Sequence, residues 1–85
     1  RIDSKCWEAY TDAFTHMTRP TGVCSQTHCN DPDRGDPMGS CQKLRADPLK
    51  NACQHDENWP SIKQSIQTVR QKYKIGGPCD WRMIN

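Results

Sequence analysis

Apolar residues near the amino terminus recur at helical spacing. They fall at positions i, i+4, i+7, i+8 and i+11: Cys6, Tyr10, Ala13, Phe14 and Met17. Such spacing places them in one stripe on a helix, with Trp7 at its edge. The pattern predicts a helix from Ser4 to Met17, with the Ser4 side chain capping its first turn. The helix should end at Arg19-Pro20, because a residue that precedes proline avoids helical backbone angles.

A second amphipathic stretch lies near the carboxyl terminus. Its apolar positions repeat at i, i+4, i+7 and i+11: Ile62, Ile66, Val69 and Tyr73. Pro60 suits a first helical turn, and Gly76-Gly77-Pro78 should end the helix with a glycine in the left-handed conformation. The opposite face is polar and basic. We interpret it as a solvated face rather than a docking surface.

The middle of the chain predicts shorter elements. Residues 40–46 and 47–56 favour two short helical turns or one kinked helix, with Asp47 as a cap before Pro48. Residues 22–39 show no periodicity and several turn-forming residues, so we expect a loop there. No stretch alternates with a period of two for more than a few residues. The expected fold is therefore all-α: one small disulfide-rich domain over residues 1–85, with two longer helices and one or two short ones.

Cysteine content bears on stability and on compartment. The chain has 6 Cys among 85 residues, and its mean hydropathy is −1.01, so its apolar core must be thin. Disulfides at about 2–4 kcal/mol each would compensate, and they form in oxidising compartments. Six cysteines allow 15 pairings. We expect Cys6 or Cys79 to pair with Cys41 or Cys53, because cysteines on helices that share one core approach closely enough to bond.

Charge and hydropathy exclude some partners. Net charge is +2, with 12 basic and 10 acidic residues interspersed, so neither nucleic acid nor an anionic membrane is indicated. Apolar runs are far too short for a transmembrane segment. The chain begins at Arg1 without an apolar leader, which fits a mature secreted product. We therefore expect an extracellular location.

The stretch between Cys29 and Cys41 carries the most specific candidate site. It displays Arg34-Gly35-Asp36, in which a guanidinium and a carboxylate are separated by one glycine. This loop resembles the integrin-binding loop of the disintegrin family, whose other features the chain lacks. The resemblance implies that Arg34 contacts an acidic pocket of an integrin and that Asp36 completes the integrin's metal site. The alternative is a polar turn whose Asp and Gly residues only satisfy backbone geometry.

Metal and catalytic motifs are incomplete. The cysteine spacings lack the close pairs typical of zinc sites. Asp31, Asp33 and Asp36 do not meet the glycine and glutamate requirements of a calcium loop. His55-Asp56 after Cys53 resembles the catalytic motif of secreted phospholipases A2, but the cysteine spacing differs and a glycine-rich calcium loop is missing. We therefore predict no enzyme activity, no catalytic residue, no metal site and no cofactor.

These observations favour one function and leave two alternatives. We expect a secreted, non-enzymatic binding protein, such as a toxin, an effector or a hormone-like or pheromone-like ligand, that engages or blocks an extracellular receptor or channel. The first alternative is an adhesion antagonist that binds integrins through Arg34, Gly35 and Asp36. The second is a calcium-dependent, phospholipase-like protein. Trp59 and Trp81 flank the last helix, and we expect both to contribute mainly to the core.

Overall fold

The computed structural model describes residues 2–30 and 39–76 together with Cys79. Its helical elements, in chain order, are α1 (Ser4–Thr18), α2 (Gln26–Cys29), a π-helical turn (Gln42–Ala46), α3 (Asp47–Cys53) and α4 (Trp59–Lys72). Strands are absent from these described ranges. The predicted all-α class, with two longer helices and short ones between them, is confirmed. Within the same ranges, none of the helices has both the length and the apolar composition needed to cross a bilayer.

Helix α1 starts and ends close to the predicted positions, but its cap is a different residue. Asp3, rather than Ser4, is the N-cap, and its carboxylate accepts a hydrogen bond from the backbone N–H of Lys5 at 3.1 Å. A carboxylate is also favoured at this position by the helix dipole. At the other end Arg19 takes extended backbone angles, as expected for a residue before proline.

The π-helical turn continues directly into α3, and we call the two together the middle helix. Asp47 was expected to cap α3, but it has helical angles, and its N–H bonds the carbonyl of Gln42, five residues earlier. Its carboxylate accepts a hydrogen bond from the Gln42 side chain at 2.7 Å. Pro48 has no N–H to donate to the carbonyl of Leu44, which instead accepts from the Arg45 guanidinium at 2.8 Å. The proline therefore changes the hydrogen-bond pattern without ending the helix.

Two expectations for loops and helix ends were wrong. Part of the predicted loop is helical, because the Ser25 side chain caps α2 by accepting from the N–H of His28. At the end of α4, the residue with left-handed angles is Lys74 (φ 53°), and Gly76 does not have a positive φ, while Gly77 and Pro78 lie outside the described residues. The carbonyl of Lys74 and the N–H of Gly76 are both bonded by the Asn30 side chain, at 2.9 and 3.1 Å. This contact fixes the chain after α4 against the end of α2.

All six cysteines form disulfide bonds, and none is free. The pairs are Cys6–Cys53, Cys24–Cys41 and Cys29–Cys79. The expectation that Cys6 or Cys79 pairs with Cys41 or Cys53 is confirmed by Cys6–Cys53. Cys79 pairs with Cys29 of α2.

Helix α1 is the central element of the arrangement. It runs parallel to α4, since Asp3 contacts Asp56 near both helix starts and the Tyr10 hydroxyl bonds the Ser65 hydroxyl further along, at 2.6 Å. It runs antiparallel to the π-helical turn and α3, because Cys6 bonds Cys53 at the end of α3, whereas Asp12, later in α1, pairs with Arg45 before α3. The largest buried side chains are Met17, Leu49 and Ile66. The core therefore lies where α1, α3 and α4 meet.

Gly22 provides a test of how tightly the chain packs after α1. A Cβ atom there would lie 2.2 Å from the backbone oxygen of His16, whereas a Cβ on Gly76 would meet nothing within 4 Å. We expect Gly22→Ala to lower the free energy of unfolding by about 1–3 kcal/mol or more, because backbone atoms must move. Gly76→Ala, the matched control, should stay near the wild type. Urea unfolding followed by circular dichroism measures both, and equal stabilities would contradict this packing.

Candidate functional site

Three aromatic side chains form a stripe along the side of α1 that borders α4. Trp7, Tyr10 and Phe14 occupy positions i, i+3 and i+7. Trp7 is 52% exposed and Phe14 40% exposed, although they neighbour the buried stripe of the same helix. The ring centroids of Trp7 and Tyr10 are 5.7 Å apart. The chain has few apolar residues, and two of these large aromatic side chains are nevertheless exposed on one element, a pattern that is frequent at contact sites.

A row of small hydroxyl residues runs along α4, and one of them contacts this stripe. Ser61, Ser65 and Thr68 follow at i, i+4 and i+7, and the hydrogen bond between the Tyr10 and Ser65 hydroxyls joins the two rows. We call the surface formed by these three residues and the three aromatic residues the α1–α4 face. The Thr68 hydroxyl donates to the carbonyl of Gln64 at 3.0 Å, so part of the polarity of this face is already satisfied within the protein.

Charged residues of α1 lie mainly on its other flank. Lys5, Glu8 and Asp12 line a shallow groove between α1 and α3, whose floor includes Pro48 and Ala52. The six residues that define the α1–α4 face are themselves uncharged. Depletion of charge together with enrichment in aromatic residues is typical of the centres of protein–protein interfaces.

A cluster around His16 joins α1 to two other segments. The backbone N–H of Val23 points at Nδ1 of His16 at 3.2 Å, and Nη2 of Arg45 lies 2.9 Å from Nε2. Arg45 also pairs with Asp12 at 3.3 Å. The imidazole thus has a neighbour at each nitrogen and offers no open nitrogen to a substrate. We interpret the cluster as structural.

Both neighbours of the His16 ring are hydrogen-bond donors. A neutral imidazole accepts at one nitrogen, and a protonated imidazole accepts at neither. The surroundings therefore favour the neutral form. Burial, and then the positive charge of Arg45, hold the pKa of His16 below its ordinary value of 6.5, with Arg19 adding to this effect and Asp12 opposing it.

The residues of the Arg34-Gly35-Asp36 prediction lie outside the described residues. The structure does describe the two cysteines between which this stretch lies. Cys29 and Cys41 are not bonded to each other, but their sulfur atoms lie within 4.8 Å. Each is fixed by a disulfide to another part of the chain. Both ends of the stretch are therefore anchored close together.

The residues of the phospholipase-like motif are placed in the turns after α3. His55 is exposed, and Asp56 accepts hydrogen bonds from the backbone N–H groups of Asn58 at 2.8 Å and Asp3 at 3.2 Å. These two hydrogen bonds lower the pKa of the Asp56 carboxyl, and the bond from Asn58 has the larger effect. Asp56 thus holds the start of α4 beside the start of α1, which gives it a structural role.

The exposure of the tryptophan side chains differs from what the sequence pattern predicted. Trp59 is half-buried, packs against the core and has Nζ of Lys63 5.6 Å from its ring centroid. Trp81 lies outside the described residues. The exposed tryptophan is Trp7, which periodicity had placed only at the edge of a buried stripe. Its spacing to Phe14 was the signal that could have identified the aromatic face.

Three cysteine sulfurs lie close enough together to suggest a metal site. They belong to Cys29, Cys41 and Cys79, and all are buried. Each is oxidised in a disulfide, so none offers the thiolate that zinc requires. The fold and the site together define a small all-α protein cross-linked by three disulfides. No family model, characterised protein or solved structure matches the chain at a significant level.

The donor environment of His16 predicts pH-dependent stability. Between pH 7.5 and 5.5 the unfolded chain gains a proton on this residue, while the folded state resists it, so stability should fall as pH decreases through about 6.5. Urea unfolding at three pH values measures this. His16→Gln should flatten the dependence, and His55→Gln, at an exposed site, should retain it. A wild-type stability that is constant or rises toward pH 5.5 would contradict the arrangement.

Proposed function

We propose that the protein is an extracellular binding protein that engages a receptor or channel through its α1–α4 face and acts without catalysis. The observation that carries the proposal is the exposed aromatic stripe of Trp7, Tyr10 and Phe14 on a helix that is covalently tied to α3. The three disulfides support an oxidising, extracellular compartment.

The chemistry of the face suits a protein partner. Burying Trp7 and Phe14 removes large apolar areas from water, and an aromatic side chain loses little conformational entropy when it is immobilised. The Tyr10 and Ser65 hydroxyls are already bonded to each other, so their burial leaves fewer unpaired polar groups. The partner that fits is an uncharged, partly apolar protein surface with a pocket for the indole of Trp7.

Rigidity adds to this argument. A disulfide at Cys6 fixes the first turn of α1 to the end of α3, and the Tyr10–Ser65 hydrogen bond fixes its middle to α4. The aromatic side chains are therefore presented on a backbone that needs no ordering when it binds. Preorganisation of this kind increases affinity without additional contacts.

Alanine variants test the face directly. A labelled protein would be screened against an array of extracellular receptor and channel domains, and its affinity for any bound domain measured. Trp7→Ala and Phe14→Ala should each weaken binding at least about tenfold, the range expected for an interface anchor. Leu44→Ala is the matched control, because Leu44 is also 52% exposed but lies on the π-helical turn. A specific complex that keeps wild-type affinity in both aromatic variants would contradict this face.

A second candidate function is integrin binding through Arg34, Gly35 and Asp36. The supporting observation is that two neighbouring disulfides hold Cys29 and Cys41, the boundaries of this stretch, close together. A short peptide whose ends are fixed loses less entropy on binding than a free one.

The carboxylate position tests this second function. If it operates, Asp36→Glu should abolish adhesion to immobilised integrins, because the longer side chain moves the oxygen atoms away from the metal position. Asp33→Glu, in the same stretch, is the control and should bind like the wild type. Absence of binding by the wild type, or equal binding by both variants, would eliminate this candidate.

A further inference from the structure

Two disulfides of different chain segments come together in the core. Cys24–Cys41 links the loop before α2 to the start of the middle helix, and Cys29–Cys79 links α2 to the chain after α4. The sulfur atoms of Cys29, Cys41 and Cys79 all lie within 4.8 Å of one another. Sulfurs of the third pair, Cys6–Cys53, take part in no such cluster among the described residues.

We propose that this sulfur cluster is an intramolecular thiol–disulfide exchange site whose co-reactant is a small external thiol. The thiolate of that molecule attacks Sγ of Cys79, forms a mixed disulfide there and releases Cys29 as a thiolate. Cys29 Sγ then attacks Cys41 Sγ, which forms a Cys29–Cys41 bond and releases Cys24. The proton of the external thiol ends on Cys24, so one intramolecular disulfide and one mixed disulfide replace the original two, with no net oxidation or reduction.

Accessibility sets the order of these steps. Cys79 is 5% exposed, whereas Cys24 and Cys29 are fully buried and Cys41 is 1% exposed. The mixed disulfide therefore forms at Cys79. Exchange requires a thiolate close to a disulfide sulfur, and the released Cys29 has Cys41 as that neighbour.

The exchange changes which residues are covalently linked. In the described state, Cys29 and Cys41 are each bonded to a distant segment. In the product they are bonded to each other, and the chain after α4 is no longer covalently linked to α2. The proposal concerns reactivity and does not depend on the identity of any partner.

A serine variant starts the reaction without an external thiol. Cys79→Ser leaves Cys29 as the odd thiol next to Cys41. After folding, acid quenching, alkylation and peptide mass spectrometry, we expect a Cys29–Cys41 crosslink with alkylated Cys24. Cys53→Ser is the matched control: its odd thiol, Cys6, should remain the alkylated residue, with Cys24–Cys41 and Cys29–Cys79 intact. We expect Cys24 labelling about tenfold above that in the control, as a neighbouring thiolate implies.

The wild type provides a test that does not require the variant to fold. It would be incubated with limiting glutathione under native conditions and mapped in the same way. The expected product carries glutathione on Cys79, a Cys29–Cys41 bond and a free Cys24. Alkylated Cys29 with Cys24–Cys41 retained, in either the variant or the wild type, overturns the proposal, as does glutathione reacting only at Cys6–Cys53.

Discussion

Covalent sulfur bonds provide the constraint on which the rest of this structure depends. Among the residues that the structure describes, six of the thirteen buried apolar ones are cysteines, and the large carbon side chains buried with them are few. The bonds span 47, 17 and 50 residues along the sequence. Loops of these lengths correspond to about 3–4 kcal/mol of lost unfolded-state entropy per bond, taken separately. The core of this protein therefore consists of disulfide bonds as well as a cluster of apolar side chains.

This construction affects what the surface can present. Disulfides fill much of the described interior, and Trp7 and Phe14 lie at the surface. Helix α1, tied to α3 by Cys6–Cys53 and to α4 by Tyr10 and Ser65, holds them in a fixed relation. The disulfides therefore stabilise the fold and also hold the proposed binding face in place.

Helical periodicity predicted α1 and α4, because an apolar stripe must face the core wherever the helices pack. It placed Trp7 at the edge of this stripe and Phe14 within it, and the spacing of the two residues was the only local sign of an aromatic face, since exposure depends on where α4 lies. Propensity suggested Ser4 as a cap, but the Asp3 carboxylate satisfies the first turn. The left-handed position fell on Lys74, and the Asn30 side chain bonds the carbonyl of Lys74 and the N–H of Gly76, a long-range contact that local sequence does not reveal. The pairing of Cys79 with Cys29 of α2 is also a long-range contact that local sequence does not reveal.

The most direct test of this account is far-UV circular dichroism of the protein before and after complete reduction and alkylation of its six cysteines at neutral pH without denaturant. We expect the helical signal at 222 nm to be largely lost, since the remaining apolar core is too small to order the chain. A fully alkylated protein, verified by mass, that keeps its native helical spectrum and a cooperative thermal transition would contradict it.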